Sequence, residues 1–234
     1  MRQGRLHAVV LADGAVPPRD VLDRAWPGWD DGIGLVVAAD GGVRHADGFG
    51  FNVDHWVGDG DSTASDVLER LAAAGTTVER VAVDKDETDT ELALIAAVEA
   101  GAEVVTILGA LGGVRVDHAL ANVALLEHPV LERGEARLYD EAGARLSLLI
   151  GGDDPGLPSA RDLDGRVGDL VSLIPVGESP RDVVTQGLRY PLNGETLVLG
   201  RARGLSNVRT DRTARVSVGT GRILVIETPA TVRR

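Results

Sequence analysis

The chain has 234 residues, which is enough for one large domain or two modest ones, and 44% of them are hydrophobic, which is enough for a core. Its formal net charge is −12. It has no cysteine, which excludes disulfides, thiolate metal sites and cysteine nucleophiles. The negative charge argues against a nucleic-acid partner, because affinity for phosphate backbones comes chiefly from lysine and arginine. The N-terminal apolar run is too short to span a bilayer and continues into a turn, so we expect a cytoplasmic protein with no membrane partner.

From the N-terminus to about residue 150, short β-branched runs alternate with helical stretches. The predicted strands are LHAVVLA, GLVVAAD, VDHWVGD, VERVAVD, EVVTILG and ARLYDEA, and the predicted helices are DVLERLAAAG, TDTELALIAAVEAG and DHALANVALLEH. This alternation predicts an α/β domain built on a mostly parallel, Rossmann-like sheet. Thr88 followed by Glu91 fits a capping box, which would put Asp89 in the first turn of a helix.

After residue 150 the pattern changes to short strands separated by Gly, Asn and Pro. The segment GGDDPGLPSARDLDG is a loop-rich join, and DLVSLIPV, DVVTQGLRYPL, ETLVLGRA, ARVSVGTG and RILVIET are the predicted strands that follow. No helical period occurs among them. We therefore expect two domains, residues 1–150 and 151–234, the second an all-β sandwich or small barrel.

Four acidic or glycine-rich segments fall at the carboxyl ends of predicted strands: ADGG (39–42), GDGDS (58–62), DKDETD (84–89) and GALGGVRVDH (109–118). Ligands bind at that edge of an open parallel sheet. The aspartates expected to share it are Asp40, Asp59, Asp61, Asp86, Asp89 and Asp117. So many carboxylates repel one another unless a cation lies among them, and oxygen ligands suit Mg²⁺. Asp59 and Asp61 are the best-spaced pair for such an ion.

Each segment also has a simpler interpretation. Aspartate and glycine are common in turns and helix caps, and Asp89 and Asp117 could be helix-start carboxylates without a ligand. Lys85 is the only lysine, and because Asp86 follows it no Walker A motif exists. It could contact a phosphate or pair with an aspartate. His118 could polarise a phosphate or orient Asp117.

The ordered motifs resemble the thiamine pyrophosphokinase (thiamine diphosphokinase) family. They are AADGG (38–42), GDGDS (58–62), KDETD (85–89), GGVRVDH (112–118), GLRYPL (187–192) and GLSN (204–207), and they cover nearly the whole chain in the family's order. The resemblance implies an α/β domain that binds ATP and Mg²⁺, a β-sandwich domain, and a homodimer with thiamine between the two domains of different subunits. The implied reaction transfers the pyrophosphoryl group of ATP to the thiamine hydroxyl and releases AMP.

The resemblance also implies roles for individual residues. Metal ligands would be Asp40, Asp59 and Asp61, and the catalytic set would be Asp59, Asp61, Asp86, Asp89 and Asp117. Arg115 and Asp117 would complete the ATP end, and thiamine would meet Ser206 and Asn207. Taking the residues and the resemblance together, we expect the nucleotide to be bound by Asp40, Lys85, Thr88, Arg115 and His118. Asp89 is the first choice for the carboxylate that accepts the proton of the substrate alcohol.

Two positions depart from the family's pattern. Val114 interrupts the Gly-Gly-Arg run before Arg115, and Val208 stands where relatives usually have Glu. Alternative functions therefore remain open at this point: a pyrophosphokinase for another heterocyclic alcohol, such as a hydroxymethylpterin, or a non-catalytic thiamine or nucleotide sensor. A metal-dependent hydrolase would instead break down ATP without an acceptor.

Overall fold

The computed structural model describes residues 5–132, 134–152 and 160–233. Residues 153–159 of the join predicted after residue 150 lie outside these ranges, and Ala160–Leu163 of the same join forms a strand where a loop was expected. The chain divides into two compact units, one formed by residues up to Asp23 together with Gly28–Glu141, the other by Arg24–Pro27 together with the chain from Ala142 onward. One unit is α/β and the other is built from β-strands.

In the first unit strands alternate with helices, as the sequence predicts. The strands are β1 (His7–Leu11), β2 (Ile33–Ala39), β3 (His55–Gly58), β4 (Thr77–Arg80), β5 (Val104–Leu108) and β6 (Glu135–Tyr139). The α-helices among the described residues are α1 (Arg19–Ala25), α2 (Ala46–Phe49), α3 (Ser65–Ala73), α4 (Asp89–Glu99) and α5 (Val116–Ala124). Short 3₁₀ helices cover Asp40–His45, Leu125–Glu127 and Pro129–Leu131.

The strands of the first unit lie in the order β6-β5-β1-β2-β3-β4. Every pairing along this series is parallel. The chain therefore builds the sheet outward from β1 to β4 and then returns to the other side of β1 with β5. Because the strands run in one direction, the loops that follow them all leave from the same edge, which brings the ends of β2 and β3 close together.

The core of the first unit forms from the strand interiors and one face of α4. All five residues of β1 are buried, and so are Ala93, Leu94 and Ala97 of α4. Such near-continuous apolar strands are typical of a sheet covered on both faces. The buried His7 fits because its ring contacts the Thr106 hydroxyl through Nε2 at 2.9 Å.

The segment after β2 forms a 3₁₀ helix, Asp40–His45, where the sequence pattern had indicated only a turn. It lies so close to β1 that a Cβ on Gly42 would stand 2.0 Å from the carbonyl oxygen of Leu11. No side chain fits there. Asp40, the first residue of this 3₁₀ helix, has a φ of 39°, in the left-handed region that few non-glycine residues adopt.

The second unit contains two antiparallel groups of strands. Its strands are β7 (Arg145–Gly151), β8 (Ala160–Leu163), β9 (Leu170–Arg181), β10 (Val183–Gln186), β11 (Asn193–Glu195), β12 (Asn207–Val208), β13 (Ala214–Ser217) and β14 (Thr220–Thr228), followed by a 3₁₀ helix, Ala230–Arg233. One group has the order β12-β9-β14-β7 and the other β11-β10-β13-β8. Both groups contribute to one hydrophobic core, which includes Val171 and Ile223 from the first group and Val183 and Val216 from the second.

Some local predictions differ from the structure. The predicted strand ETLVLGRA is wrong beyond Glu195, where β11 ends. Leu197 is buried there, but its segment lies outside any strand in the described part of the chain. The segment RLSLLIG, at the expected domain boundary, is β7 of the second unit. In the ranges 5–132, 134–152 and 160–233, none of the helices combines the length and hydropathy that a membrane span requires.

Candidate metal and phosphate site

Three carboxylates converge where β2 and β3 end. Asp40 follows β2, Asp59 follows β3, and Asp61 lies two residues further along the same loop. One carboxylate oxygen from each of the three lies within 4.8 Å of the others. Three negative groups at that distance repel one another, so the arrangement favours a cation among them.

Asp40 is the buried member of this cluster and is held in place at both ends. Its carbonyl oxygen accepts a hydrogen bond from Trp56 Nε1 at 3.0 Å, and its Oδ2 accepts one from the Ser62 amide at 3.1 Å. Its Oδ1 is buried and has no hydrogen-bond partner among the described residues. Burial raises the pKa of Asp40, and the neighbouring carboxylates of Asp61 and Asp89 add to that effect.

The loop with Asp59 and Asp61 is organised by its own hydrogen bonds. The Asp61 amide donates to Asp59 Oδ1 at 3.0 Å, and the Ser62 hydroxyl donates to Asp61 Oδ1 at 2.8 Å. Gly60 has a φ of 81°, which allows the tight bend between the two aspartates. The Ser62 hydroxyl lowers the pKa of Asp61, so its carboxylate is ionised at neutral pH.

Lys85 connects the cluster to the start of α4. Its Nζ lies 3.0 Å from Asp89 Oδ1 and 3.6 Å from Asp59 Oδ2. Burial alone would lower the pKa of Lys85, but the carboxylates of Asp89 and Asp59 outweigh it and the pKa is raised. The Thr88 hydroxyl accepts the Glu91 amide at 3.2 Å, which confirms the predicted cap and fixes Asp89 as the first helical residue. Of the two roles considered for the lone lysine, pairing with aspartates is the one present here.

The remaining predicted residues of the first unit lie apart from these contacts. Asp86 and His118 are exposed. Arg115 pairs with Asp117, its Nε 2.9 Å from Oδ1, and both side chains are largely exposed. The guanidinium holds the pKa of Asp117 well below its usual range. Among the described hydrogen bonds and ion pairs, none joins Arg115 or Asp117 to the three clustered carboxylates.

The residues predicted to meet thiamine lie in the second unit. Ser206 is exposed, with a φ of 55°, and its amide donates to Ser172 Oγ at 3.0 Å. Asn207 is buried, and its Oδ1 accepts the amides of Tyr190 and Val208, both at 3.0 Å. Its Nδ2 donates to the Tyr190 carbonyl at 2.7 Å. The GLRYPL and GLSN motifs are thus joined through the Asn207 amide.

Asp13 and Arg44 also contribute to the site, although neither was predicted from the sequence. Asp13, in the loop after β1, forms an ion pair with Arg44 of the 3₁₀ helix, and Arg44 also donates to the Asp13 carbonyl oxygen. His45 Nε2 contacts the Gly14 carbonyl oxygen at 2.9 Å. These contacts fix the segment that carries Asp40. The sequence does contain a signal for Asp13, because the Asp-Gly pair after the first predicted strand repeats the Asp-Gly pairs in the loops after β2 and β3.

The donor set fits a hard divalent cation. Its groups are carboxylate oxygens, which are the ligands that Mg²⁺ prefers, and Mg²⁺ commonly joins one or two protein carboxylates to substrate phosphates. The unpartnered Asp40 Oδ1 is a buried oxygen that would gain a partner from such an ion. Lys85 adds a cation beside the same cluster. The fold and the site thus define an α/β-plus-β protein equipped to bind a metal ion and phosphates.

Comparison with known proteins gives the family. Residues 31–138 match the family model described as thiamin pyrophosphokinase, catalytic domain, and residues 161–223 match the one described as thiamin pyrophosphokinase, vitamin B1 binding domain. A thiamine pyrophosphokinase of Bacillus subtilis is 30% identical over 78% of this chain and 77% of its own length. The chain belongs to the thiamin pyrophosphokinase family.

Solved structures agree with this membership. The crystal structure of the thiamine pyrophosphokinase from Bacillus subtilis superposes with a TM-score of 0.79 at 26% identity, covering 95% of this chain and 99% of that one. The thiamin pyrophosphokinase from Geobacillus thermodenitrificans gives a TM-score of 0.74 at 25% identity, covering 95% and 97%. The chain is therefore an enzyme of the ATP-dependent diphosphotransferase class.

Proposed function

We propose that this protein is a thiamine diphosphokinase, which transfers the diphosphoryl group of ATP to the hydroxyl of thiamine and forms thiamine diphosphate and AMP. The observation that carries the proposal is the convergence of Asp40, Asp59 and Asp61 in a chain of this family. Transfer at phosphorus asks a protein mainly to position the reactants and to neutralise charge. A carboxylate cluster with a neighbouring lysine is suited to both tasks.

Asp40, Asp59 and Asp61 would hold Mg²⁺ in this enzyme. Bound there, the ion would neutralise charge on the phosphates of ATP and help to orient them. Without a cation the three carboxylates would repel the nucleotide, so we expect activity to depend on added divalent metal. The Ser62 contacts to Asp40 and Asp61 support this role because they hold two of the three carboxylates in fixed positions.

Lys85 and Asp89 are the residues best placed for the chemistry beside the cluster. The thiamine hydroxyl oxygen forms a bond to the β-phosphorus, the bond from that phosphorus to the oxygen shared with the α-phosphate breaks, and AMP leaves with that oxygen. We assign the acceptance of the hydroxyl proton to Asp89, whose position the Thr88 cap fixes. Lys85 pairs with Asp89 through the contact at 3.0 Å and would balance charge near the phosphates.

Other residues of the first unit are assigned on the family pattern together with their exposure. Arg115 and His118, exposed at the start of α5, would contact the phosphates of ATP, with Arg115 released from its pair with Asp117. Asp86, also exposed, would take part in the same region as a catalytic carboxylate. We assign the contact with thiamine to Ser206, because the Asn207 side-chain amide already forms hydrogen bonds with the backbone of its own unit.

The two family matches support a proposed division into two domains. Residues 1–141, apart from Arg24–Pro27, would form the catalytic domain on a mostly parallel, Rossmann-like sheet. The chain from Ala142 onward, which includes β7, would form a β-sandwich that binds thiamine, so the boundary lies somewhat earlier than residue 150. The parallel pairings of the first unit and the shared core of the two antiparallel groups support these descriptions. We further propose a homodimer with its active site at the subunit interface, working in the cytoplasm where ATP is available.

The test is a direct assay of both products. Purified protein with Mg-ATP and thiamine should yield AMP and thiamine diphosphate in equal amounts, whereas a hydroxymethylpterin in place of thiamine should yield neither. Asp61→Asn should lower turnover by at least about a hundredfold, the scale on which preorganised charge acts in catalysis. The matched control is Asp84→Asn, which removes an exposed aspartate beside the same site and should leave turnover unchanged. Normal turnover of Asp61→Asn, or AMP formation without thiamine, would contradict the proposal.

A further inference from the structure

An arginine that the assignments above do not use lies beside the carboxylate cluster. Arg80 is the last residue of β4, and in the register of the parallel pair it stands opposite Gly58, the last residue of β3. Both strands therefore end at the same edge of the sheet, where Asp40, Asp59 and Asp61 also lie. Because the loop with two of these aspartates begins directly after Gly58, Arg80 starts at the level of the cluster.

The side chain of Arg80 leaves the sheet on the face that carries Asp40. Residues in register on neighbouring strands point to the same face, and successive residues of a strand alternate between the two faces. A Cβ on Gly58 would stand 2.8 Å from Asp40 Cβ, so the face of Gly58 is the one against which Asp40 packs. Glu79, the residue before Arg80, lies on the other face, and its carboxylate contacts His55 Nε2 at 3.0 Å. Arg80 and Asp40 therefore share one side of the sheet.

The guanidinium of Arg80 reaches the bend between Asp59 and Asp61. A Cβ built on Gly60, the residue between these two aspartates, would lie 3.1 Å from Arg80 Nη1. Because glycine has no side chain, the guanidinium can approach the backbone of this loop closely. The loop that carries two of the three clustered carboxylates therefore has a positive group against its central residue.

The charge of Arg80 has no partner within the described part of the chain. No hydrogen bond or ion pair there involves its guanidinium, and the side chain is exposed. Two other cations of the site are already paired, Lys85 with Asp89 at 3.0 Å and Arg115 with Asp117. A planar guanidinium whose donors are open can bind a phosphate through two parallel hydrogen bonds. Arg80 is thus available to an anion without first breaking a contact of its own.

The charges of the site favour one more cation. The cluster with its neighbour Asp89 holds four carboxylates, whereas Lys85 and one divalent ion supply three positive charges. A polyphosphate brings further negative charge to the same place, and it is repelled unless another cation balances it. Arg80 is close to the cluster and unpaired, so it can supply that charge.

We propose that Arg80 is a phosphate-binding residue of this enzyme, and that its guanidinium donates hydrogen bonds to the polyphosphate chain held at Asp40, Asp59 and Asp61. The inference rests on the proposed function, since it adds a residue to the phosphate site of that reaction. Arginine stays protonated in proteins, so the contact contributes positive charge throughout the pH range of an assay. The contact also places a positive group beside the diphosphoryl group while it is transferred.

Calorimetric binding of magnesium tripolyphosphate, which carries phosphates without a nucleoside, tests the assignment. Arg80→Gln should weaken this binding at least about tenfold, the scale of one hydrogen bond to a charged group. Arg80→Lys keeps the charge but loses the planar fork, so its affinity should fall between those of Arg80→Gln and the wild type. The matched control is Arg5→Gln, which removes the same charge from an exposed arginine just before β1, at the opposite edge of the sheet, and should leave the affinity unchanged. Wild-type affinity of a folded Arg80→Gln, or an equal loss in Arg5→Gln, would overturn the inference.

A second measurement uses the unaltered protein and so does not depend on the folding of a variant. Phenylglyoxal, which reacts with accessible guanidinium groups, should modify Arg80, and magnesium tripolyphosphate should slow that reaction while leaving the modification of Arg5 unchanged, as peptide mapping would show. Modification of Arg80 at the same rate with and without the polyphosphate would overturn the inference. Failure of the proposed function would be seen differently, as absence of thiamine-dependent AMP formation by a protein whose Arg80 is still protected.

Discussion

Replacing Asn207 with alanine should destabilise the second unit before it affects chemistry. The substitution removes three hydrogen bonds, from the Tyr190 and Val208 amides to Oδ1 and from Nδ2 to the Tyr190 carbonyl. At roughly 0.5–1.5 kcal/mol for each bond, the expected loss in free energy of unfolding is about 2–4 kcal/mol. For a chain of this length that corresponds to a Tm lowered by roughly 4–16 °C.

Differential scanning calorimetry measures this loss, and kinetics with thiamine as the varied substrate measures its effect on binding. Asn207→Asp keeps the acceptor but loses the donor, so its Tm should fall between those of the wild type and Asn207→Ala. Asn193→Ala, at an exposed position in β11, is the control and should leave Tm unchanged. A normal Tm for Asn207→Ala combined with a raised KM for thiamine would refute the reasoning, because it would show that the amide serves the substrate and not the fold.

Three further predictions concern the first unit. Thr88→Ala removes the cap of α4 and should cost about 1 kcal/mol in the free energy of unfolding by urea, whereas Thr88→Ser should retain most of it; equal stability of both variants would contradict the cap. Burial lowers the pKa of His7 in the fold, so the unfolded chain binds more protons below pH 6.5, and the free energy of unfolding should fall as pH drops below that value. In the same urea titrations His7→Asn should show a weaker fall between pH 7 and 5, and an unchanged profile would exclude the His7 contribution. Gly42→Ala should prevent soluble expression or lower Tm by more than 10 °C, roughly the effect of several kcal/mol, because its Cβ would stand 2.0 Å from the Leu11 carbonyl oxygen. Gly48→Ala, whose Cβ would have no atom within 4 Å, should leave Tm unchanged, and a folded Gly42→Ala with the wild-type Tm would contradict the close approach.

The sequence predicts the strands of the first unit well because each is a short, dense apolar run between turn residues. β1 and β5 are buried along nearly their whole length, and such runs need no information from distant parts of the chain. The start of α4 was also predictable, since a capping box depends on residues three positions apart. The alternation of strands and helices predicts the strand order only in part, because tertiary packing determines which strands lie side by side.

Other features depend on contacts that a local pattern does not contain. The 3₁₀ helix that begins at Asp40 exists because Gly42 can approach the β1 backbone, and Ala-Asp-Gly-Gly alone resembles an ordinary turn. The stretch after Glu195 has the alternation of a strand, yet Leu197 is buried without a strand around it in the described part of the chain. Periodicity records which side chains are buried and not whether the backbone finds a partner.

The candidate site also combines features that the sequence predicts with features that depend on tertiary contacts. Clustering of Asp40, Asp59 and Asp61 could be expected, because all three follow strands that end at one edge of a sheet. The pairing of Lys85 with both Asp59 and Asp89 could not be predicted, because it depends on how the loop after β4 lies against the loop after β3.

The central claim is that three carboxylates from two loops bind one divalent ion together with the phosphates of ATP. Electron paramagnetic resonance of Mn²⁺, titrated into the protein with and without ATP, measures this binding directly. The wild type and Asp84→Asn should bind one ion, more tightly when ATP is present, and Asp59→Asn should bind it at least about tenfold more weakly. Equal affinity of Asp59→Asn and the wild type would contradict the claim.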